Sequence, residues 1–285
     1  METIRLLAPG DEAALESFLR PHAESSMFLL SNLRSSGLAG EGGRYQGPYA
    51  AAFHGDLIVG VAAHYGLGML CVQAPRALAE VVRAAAAASG RPVTGLAGPW
   101  EQALAAREAL GLANAETAIL HRDELFTLAL SELRVPEALS SGEVRCRSLL
   151  EKDVPLASEW RVAYHLETLG AAPSDGLVTQ CREEVERLLA AGEAWVLVRE
   201  DRVVSFTAFN ARLPGVVQVG GVYTPPGLRG RGYGRAAVAG SLLDARAGGV
   251  ARSVLFTDRG NPGACRAYEA LGYRAVSEFG LILFR

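Results

Sequence analysis

The sequence predicts a mixed α/β (α+β) fold built as two tandem halves, and three observations lead there. Strands and helices follow one another in the same order in each half. The last helix of each half ends on the same tetrapeptide, Glu108-Ala-Leu-Gly111 in the first and Glu269-Ala-Leu-Gly272 in the second. In the second half, an apolar strand from about Val216 to Tyr223 runs through a glycine-rich loop into an alanine-rich amphipathic helix. With 285 residues, 49% hydrophobic and 21% charged, the chain is long enough for two medium domains.

The first half opens with a short strand, Thr3 to Leu7. Asp11 is a fitting N-cap for the helix that follows. In a second helix, Glu24 to Arg34, Met27, Leu30 and Leu33 recur at helical spacing and form its buried stripe. Gly37 to Gly47 is glycine-rich and reads as a loop. Two apolar runs, Pro48 to Phe53 and Leu57 to Ala63, flank His54-Gly-Asp56, which signals a hairpin. Strand Met69 to Gln73, helix Ala77 to Ser89, strand Pro92 to Leu96 and helix Trp100 to Leu110 come next. Two late strands are expected at Thr117 to His121 and Leu125 to Leu130. The segment Ser131 to Glu143 carries Pro136, Ser140, Ser141 and Gly142 and reads as the boundary, giving domains 1–135 and 143–285.

The second half repeats this order. Val144 to Leu149 is a strand, and Asp153 begins a helix through Trp160 and Tyr164. Ser174 can cap the next helix, whose stripe is Leu177, Cys181, Val185 and Leu188. Ala194 to Val198 and Val203 to Phe209 flank Glu200-Asp-Arg202 as a second hairpin. The glycine-loop strand and its helix follow, the helix ending at Gly248-Gly249. A strand from Ser253 to Thr257, a helix from Asn261 and a last strand, about Gly280 to Phe284, close the chain.

A net charge of -3 provides no basic footprint for nucleic acid. Cys71, Cys146, Cys181 and Cys265 are scattered, without CxxC or His spacing for zinc, so no metal is expected. Cys71 and Cys181 sit in apolar patterns and read as reduced core residues. The N-terminus has no signal-peptide pattern and no apolar run approaches membrane-spanning length, so a cytoplasmic location without a membrane partner is the expectation.

The run Val222-Tyr-Thr-Pro-Pro-Gly-Leu-Arg229-Gly230-Arg231-Gly232-Tyr233-Gly234-Arg235 has the makings of an anion site. Glycine lets backbone approach a phosphate closely, and the N–H groups of the helix's first turn point at it. Arg229, Arg231 and Arg235 add positive charge. A P-loop would need Lys-Ser/Thr after its last glycine, and a dinucleotide fingerprint would need G-x-G-x-x-G; neither is present. The segment Arg229-x-x-Gly232-x-Gly234 resembles the pyrophosphate motif of the GNAT-type acetyltransferases, Gln/Arg-x-x-Gly-x-Gly/Ala. Downstream, Asn261-Pro-Gly-Ala264-Cys-Arg-Ala-Tyr268-Glu-Ala-Leu271-Gly272-Tyr273 resembles the Asn-x-x-Ala/Ser-x-x-x-Tyr-x-x-x-Gly-Phe/Tyr pattern of the same superfamily. The resemblance covers about Val144 to Arg285. It implies two tandem GNAT-like domains, each a central, mostly antiparallel sheet flanked by helices, with an acyl-CoA, foremost acetyl-CoA, as co-substrate.

Aligning the two Glu-Ala-Leu-Gly segments sets Trp100 on Asn261, Ala103 on Ala264 and Arg107 on Tyr268. Val72-Gln-Ala-Pro-Arg-Ala-Leu, where the first half passes from strand to helix, has no glycine. The first half thus keeps the packing signature and lacks the chemical residues, so it reads as a degenerate copy beside a catalytic one.

Acyl transfer to an amine needs a held cofactor, a neutral amine, a stabilised oxyanion and a proton for the leaving thiolate. Backbone N–H groups of about Arg229 to Arg235 would hold phosphate. By the resemblance, Val222, Tyr223 and Thr224 pair with the pantetheine arm, and a backbone N–H at Val222 is the oxyanion donor. Tyr268 is the candidate acid, since a phenol near ~10 can protonate a thiolate near ~8.5; a core aromatic on an amphipathic helix is the plainer alternative. Asn261 before Pro262 fits a helix cap, and by the resemblance also lies beside pantetheine. The strand Val216 to Val222 offers no carboxylate base. Glu167 or His165 could act through water.

The function these readings imply is acyl-CoA-dependent N-acyl transfer to a small amine or amino acid. A non-catalytic acyl-CoA sensor is the alternative. An aminoacyl-tRNA-dependent transferase would need a basic groove of which the composition shows no sign. The run from Val222 and the tandem layout are similar to glycine N-acyltransferase-like proteins, and mycothiol synthase is similar in layout. A homodimer is compatible with these readings.

Overall fold

The structure is a computed structural model that describes residues 2–38 and 43–285. Part of the expected loop Gly37 to Gly47 therefore lies outside the described residues. The chain forms two compact units, one of residues 1–125 with 277–285 and one of residues 126–276.

The first unit contains β1 (Thr3–Leu6), α1 (Glu12–Leu19), α2 (Met27–Ser36), β2 (Tyr49–His54), β3 (Leu57–His64), β4 (Met69–Gln73), α3 (Leu78–Ser89), β5 (Gly95–Pro99), α4 (Trp100–Ala109) and the start of β6 (Thr117–Ala129). Neighbours β1 to β4 pair antiparallel, and β4 pairs parallel with β5. The stripe Met27, Leu30 and Leu33 is buried as its spacing requires. Asp11 precedes α1 but does not cap it; its carboxylate accepts from the Ala8 N–H at 2.9 Å and from Arg5. β6 is one continuous strand where two were expected. The intervening Arg122-Asp-Glu has no glycine or proline to turn the backbone.

The second unit contains α5 (Glu137–Ser140), β7 (Arg145–Ser148), α6 (Val154–Thr168), α7 (Asp175–Ala191), β8 (Ala194–Arg199), β9 (Arg202–Leu213), β10 (Val216–Tyr223), α8 (Tyr233–Ala247), β11 (Arg252–Asp258), α9 (Pro262–Leu271) and the start of β12 (Arg274–Phe284). Its pairing scheme repeats the first unit's. β7 to β10 run antiparallel, and β10 pairs parallel with β11. Val217, Val219, Val238 and Leu242 pack the α8 side of the sheet. Val154, Ala157, Val185, Phe206 and Ala208 pack the α6 and α7 side. Ser174 caps α7, its hydroxyl accepting from the Leu177 N–H at 3.1 Å. All four residues of that helix's predicted stripe are buried.

The repeated tetrapeptide makes the same structure twice. Gly111 and Gly272 both take positive φ, 72° and 102°. The Gly111 N–H donates to Glu108 O and that of Leu112 to Arg107 O; the Gly272 N–H donates to Glu269 O and that of Tyr273 to Tyr268 O. This is one C-terminal cap, made where glycine alone reaches left-handed φ without strain.

The division differs from the expected 1–135 and 143–285. β12 is longer than expected, and Ser277–Arg285 belongs to the first unit, where Phe279 to Leu283 pair antiparallel with Pro99 to Gly95. Ile282 is fully buried in the first unit's core. Burying that apolar strand against β5 outweighs its nearness in sequence to α9.

Candidate functional site

β10 positions the site. It pairs with β11 only at Val216, Val217 and Gln218, after which no pairing continues between them. Against β9, its register slips between Gly220 and Tyr223, so Gly221 and Val222 face one residue of β9. That is a β-bulge, and Gly221 adopts the positive φ of 60° that it requires. The bulge turns Val222 to the α8 side, where it packs against the same core as Cys265 and Tyr268 of α9. Tyr223 falls on the other side, 6.1 Å from the Trp160 ring on α6.

After β10 a short turn, Pro226–Leu228, leads to Gly232, the residue before α8, at φ 77°. The first α8 N–H to find a backbone partner is that of Ala236, which donates to Gly232 O at 2.9 Å. Among the described residues, the N–H groups of Tyr233, Gly234 and Arg235 are thus the unpaired first turn of a 15-residue helix. A Cβ at Gly234 would touch Thr224 Oγ1 at 3.4 Å, so the loop folds close over the strand end. The Thr224 hydroxyl also meets that of Ser205 at 2.9 Å. These donors fit an anionic group of pyrophosphate type. Arg199 bonds the Tyr233 hydroxyl at 2.7 Å.

The predicted residues fall into three groups. Glu167, Tyr223, Thr224 and Arg229 come together: Glu167 accepts from the Tyr223 hydroxyl at 3.0 Å and from Arg229 at 2.5 Å, while Arg229 Nε donates to Thr224 O at 2.9 Å. The Arg229 bond, then that of Tyr223, hold the Glu167 carboxyl below its ordinary range despite some burial. Gly230 to Arg235 form the loop and first helical turn. Val222 and Tyr268 share a core. Burial, with Tyr164 and Cys265 nearby, pushes the Tyr268 phenol well above its ordinary value. Asn261 Oδ1 accepts from the Ala264 N–H at 3.1 Å, a helix cap.

Sequence reasoning passed over Arg161. It lies on α6 in line with Val154 and Ala157 and is 7% exposed. Its Nη2 donates to Glu184 Oε1 at 2.6 Å, and His165 Nε2 stands 3.5 Å from Glu184 Oε2. Burial raises the Glu184 carboxyl, but His165 and Arg161 outweigh it and hold the group far below its usual range. Burial likewise works against the Arg161 cation, and Glu184 reverses it. The legible signals were a charged residue on a helix's apolar stripe and the pair Gly220-Gly221 inside a strand.

At the first unit's counterpart, a side chain of the same unit occupies the backbone donor at the strand end. The Ala74 N–H, just past β4, donates to Gln102 Oε1 at 2.6 Å. Ala77, not glycine, takes the left-handed position before α3, at φ 53°. Among the described residues, no group of three or more His, Cys, Asp or Glu could hold a metal ion, and no helix is long and apolar enough to cross a membrane.

Residues 158–273 match the acetyltransferase (GNAT) family. The matched segment holds β10, its glycine loop and α9, and lies wholly in the second unit. Solved GNAT structures share the fold across both units. A GCN5-related N-acetyltransferase from Sphaerobacter thermophilus superposes with a TM-score of 0.60 at 16% identity, covering 99% of this chain and 94% of that one. One from Kribbella flavida gives 0.56 at 20%, covering 91% and 93%. A tandem GNAT protein from the clavulanic acid biosynthesis pathway gives 0.56 at 13%, covering 99% and 98%. No curated protein is significantly similar to the chain.

Proposed function

We propose that the protein is an acyl-CoA-dependent N-acyltransferase, using acetyl-CoA foremost, whose second unit binds the co-substrate and transfers its acyl group to a small amine or amino acid. The observation that carries the reading is β10 itself. It parts from β11 after three pairs, bulges at Gly221-Val222, and delivers the chain to a helix N-terminus with free N–H groups. An extended arm with amides and a pyrophosphate suits that sequence of features. The GNAT match over the same residues supports it.

In this reading the first turn of α8 and Arg231 and Arg235 hold the pyrophosphate. The Val222 N–H, without a register partner on β9, is the oxyanion donor. Transfer forms a nitrogen–carbon bond and breaks the carbon–sulfur bond. Tyr268, kept protonated by burial, gives its proton to the departing thiolate; the amine nitrogen loses one proton to water as the amide forms, and water returns a proton to the phenolate. Glu167 is a poor base, since Arg229 and Tyr223 stabilise its charged form; its role is to fasten α6 to the loop. The similarity to glycine N-acyltransferase-like proteins belongs to this proposal too. The competing reading, an acyl-CoA sensor without turnover, draws on the lack of a free carboxylate base; release of CoA with a panel of amines decides between them.

The test is calorimetric titration with acetyl-CoA. Wild type should bind, Gly232→Glu should not, and Gly232→Ala should bind more weakly, separating backbone strain from the misplaced anion. Wild type that binds neither acetyl-CoA, longer acyl-CoAs nor free CoA refutes both readings.

A further inference from the structure

Arg161 is a cation buried beneath the bulge of β10. Its guanidinium lies so close to Gly221 that a Cβ there would collide with Nη1. One side is tied to Glu184 through Nη2. The other side, Nη1, and the Nε are buried without hydrogen-bond partners among the described residues. Tyr164 stacks on the group, with the guanidinium carbon 4.9 Å from its ring centroid. The ion pair is therefore oriented. Its carboxylate end lies toward α7, and its positive end, with unmatched N–H hydrogens, lies toward the residue next to Val222. A field from such a fixed, buried charge is weakly screened.

We propose that Arg161 is a positioning residue for the acyl-transfer step: it fixes the Gly221 bulge and directs a positive field onto the carbonyl oxygen received by the Val222 N–H. The inference rests on the acyltransferase reading above. Arg161 touches no reacting atom. It acts through the bulge, and it works by charge as well as by shape.

The readout is the carbonyl stretch of acetyl-CoA carrying carbon-13 at the thioester carbon, recorded by infrared difference spectroscopy on the loaded protein. A positive field at the oxygen weakens the bond and lowers the band. Arg161→Met should raise the band relative to wild type. Glu184→Gln keeps the cation and removes its counter-charge, so it should lower the band. A purely structural role would move both variants in the same direction. In kinetics, Arg161→Met should lose about tenfold or more in kcat, less than the ~10²–10³ typical of removing a direct oxyanion donor, with KM for acetyl-CoA little changed. Circular dichroism on both variants checks folding, and Glu184→Gln alone still tests the sign if Arg161→Met does not fold. A band that stays put, or shifts the same way in every folded variant, overturns the proposal while leaving the acyltransferase reading in place. Failure of wild type to bind acetyl-CoA overturns both.

Discussion

Replacing Gly221 by alanine should destabilise the second unit through two separable effects. At φ 60° an alanine bears a left-handed backbone, a cost of about 1–2 kcal/mol. Its Cβ would also occupy the place of Arg161 Nη1 and push the guanidinium off Glu184. Loss of a buried pair costs about 3–5 kcal/mol, because each charge is left uncompensated. Gly230→Ala is the control. Gly230 has φ 77° and nothing within 4 Å of its would-be Cβ, so only the backbone effect applies. For a cooperative unit the size of residues 126–276, 1 kcal/mol moves Tm by about 2–4 °C. Taking about 3 kcal/mol for the displaced pair, Gly221→Ala should melt roughly 6–12 °C below Gly230→Ala in a circular dichroism scan. If the two variants melt together, the guanidinium does not occupy the bulge and the packing argument fails.

Two further outcomes follow from the same geometry. Tyr268→Phe should lower kcat by about 10²-fold with acetyl-CoA affinity unchanged by calorimetry; an unaltered kcat would make Tyr268 a core aromatic and nothing more. Stability should also fall in acid. Burial raises the carboxyls of Glu184 and Asp153, but their Arg and His partners and, for Asp153, the Leu150 N–H bring both below their ordinary values. A folded value below the unfolded one gives stability that is complete above the unfolded value, near ~4, and is lost as pH falls through the folded values. Tm should be flat from neutral to about pH 5 and decline below about pH 4, less steeply in Glu184→Gln; a Tm that rises on acidification would contradict the pairing.

Much of the architecture was legible because it rests on local rules. Helical spacing gave the stripes of α2 and α7, and Ser174 and Asn261 sit as caps where short polar side chains precede helices. The repeated Glu-Ala-Leu-Gly signalled a repeated cap because both copies need glycine at positive φ. The loop Gly230 to Arg235 was visible for the same reason: unpaired helix N–H groups behind glycine are made by neighbours in sequence.

What the sequence could not determine depended on partners far along the chain. Ser277–Arg285 reads as the end of the second half, yet it belongs to the first unit, because the strand it pairs with, β5, lies about 180 residues earlier. Glu167 read as a candidate base acting through water, and nothing in the sequence pointed to Arg229 and Tyr223 as its partners. Arg161 carried no reading in the sequence; only the packing of α6, α7 and the Gly221 bulge buries it with Glu184 as partner and two nitrogens unmatched among the described residues. Periodicity and capping are set by neighbours within a few residues, whereas register, ion pairing and desolvation are set by whichever segments the core brings into contact.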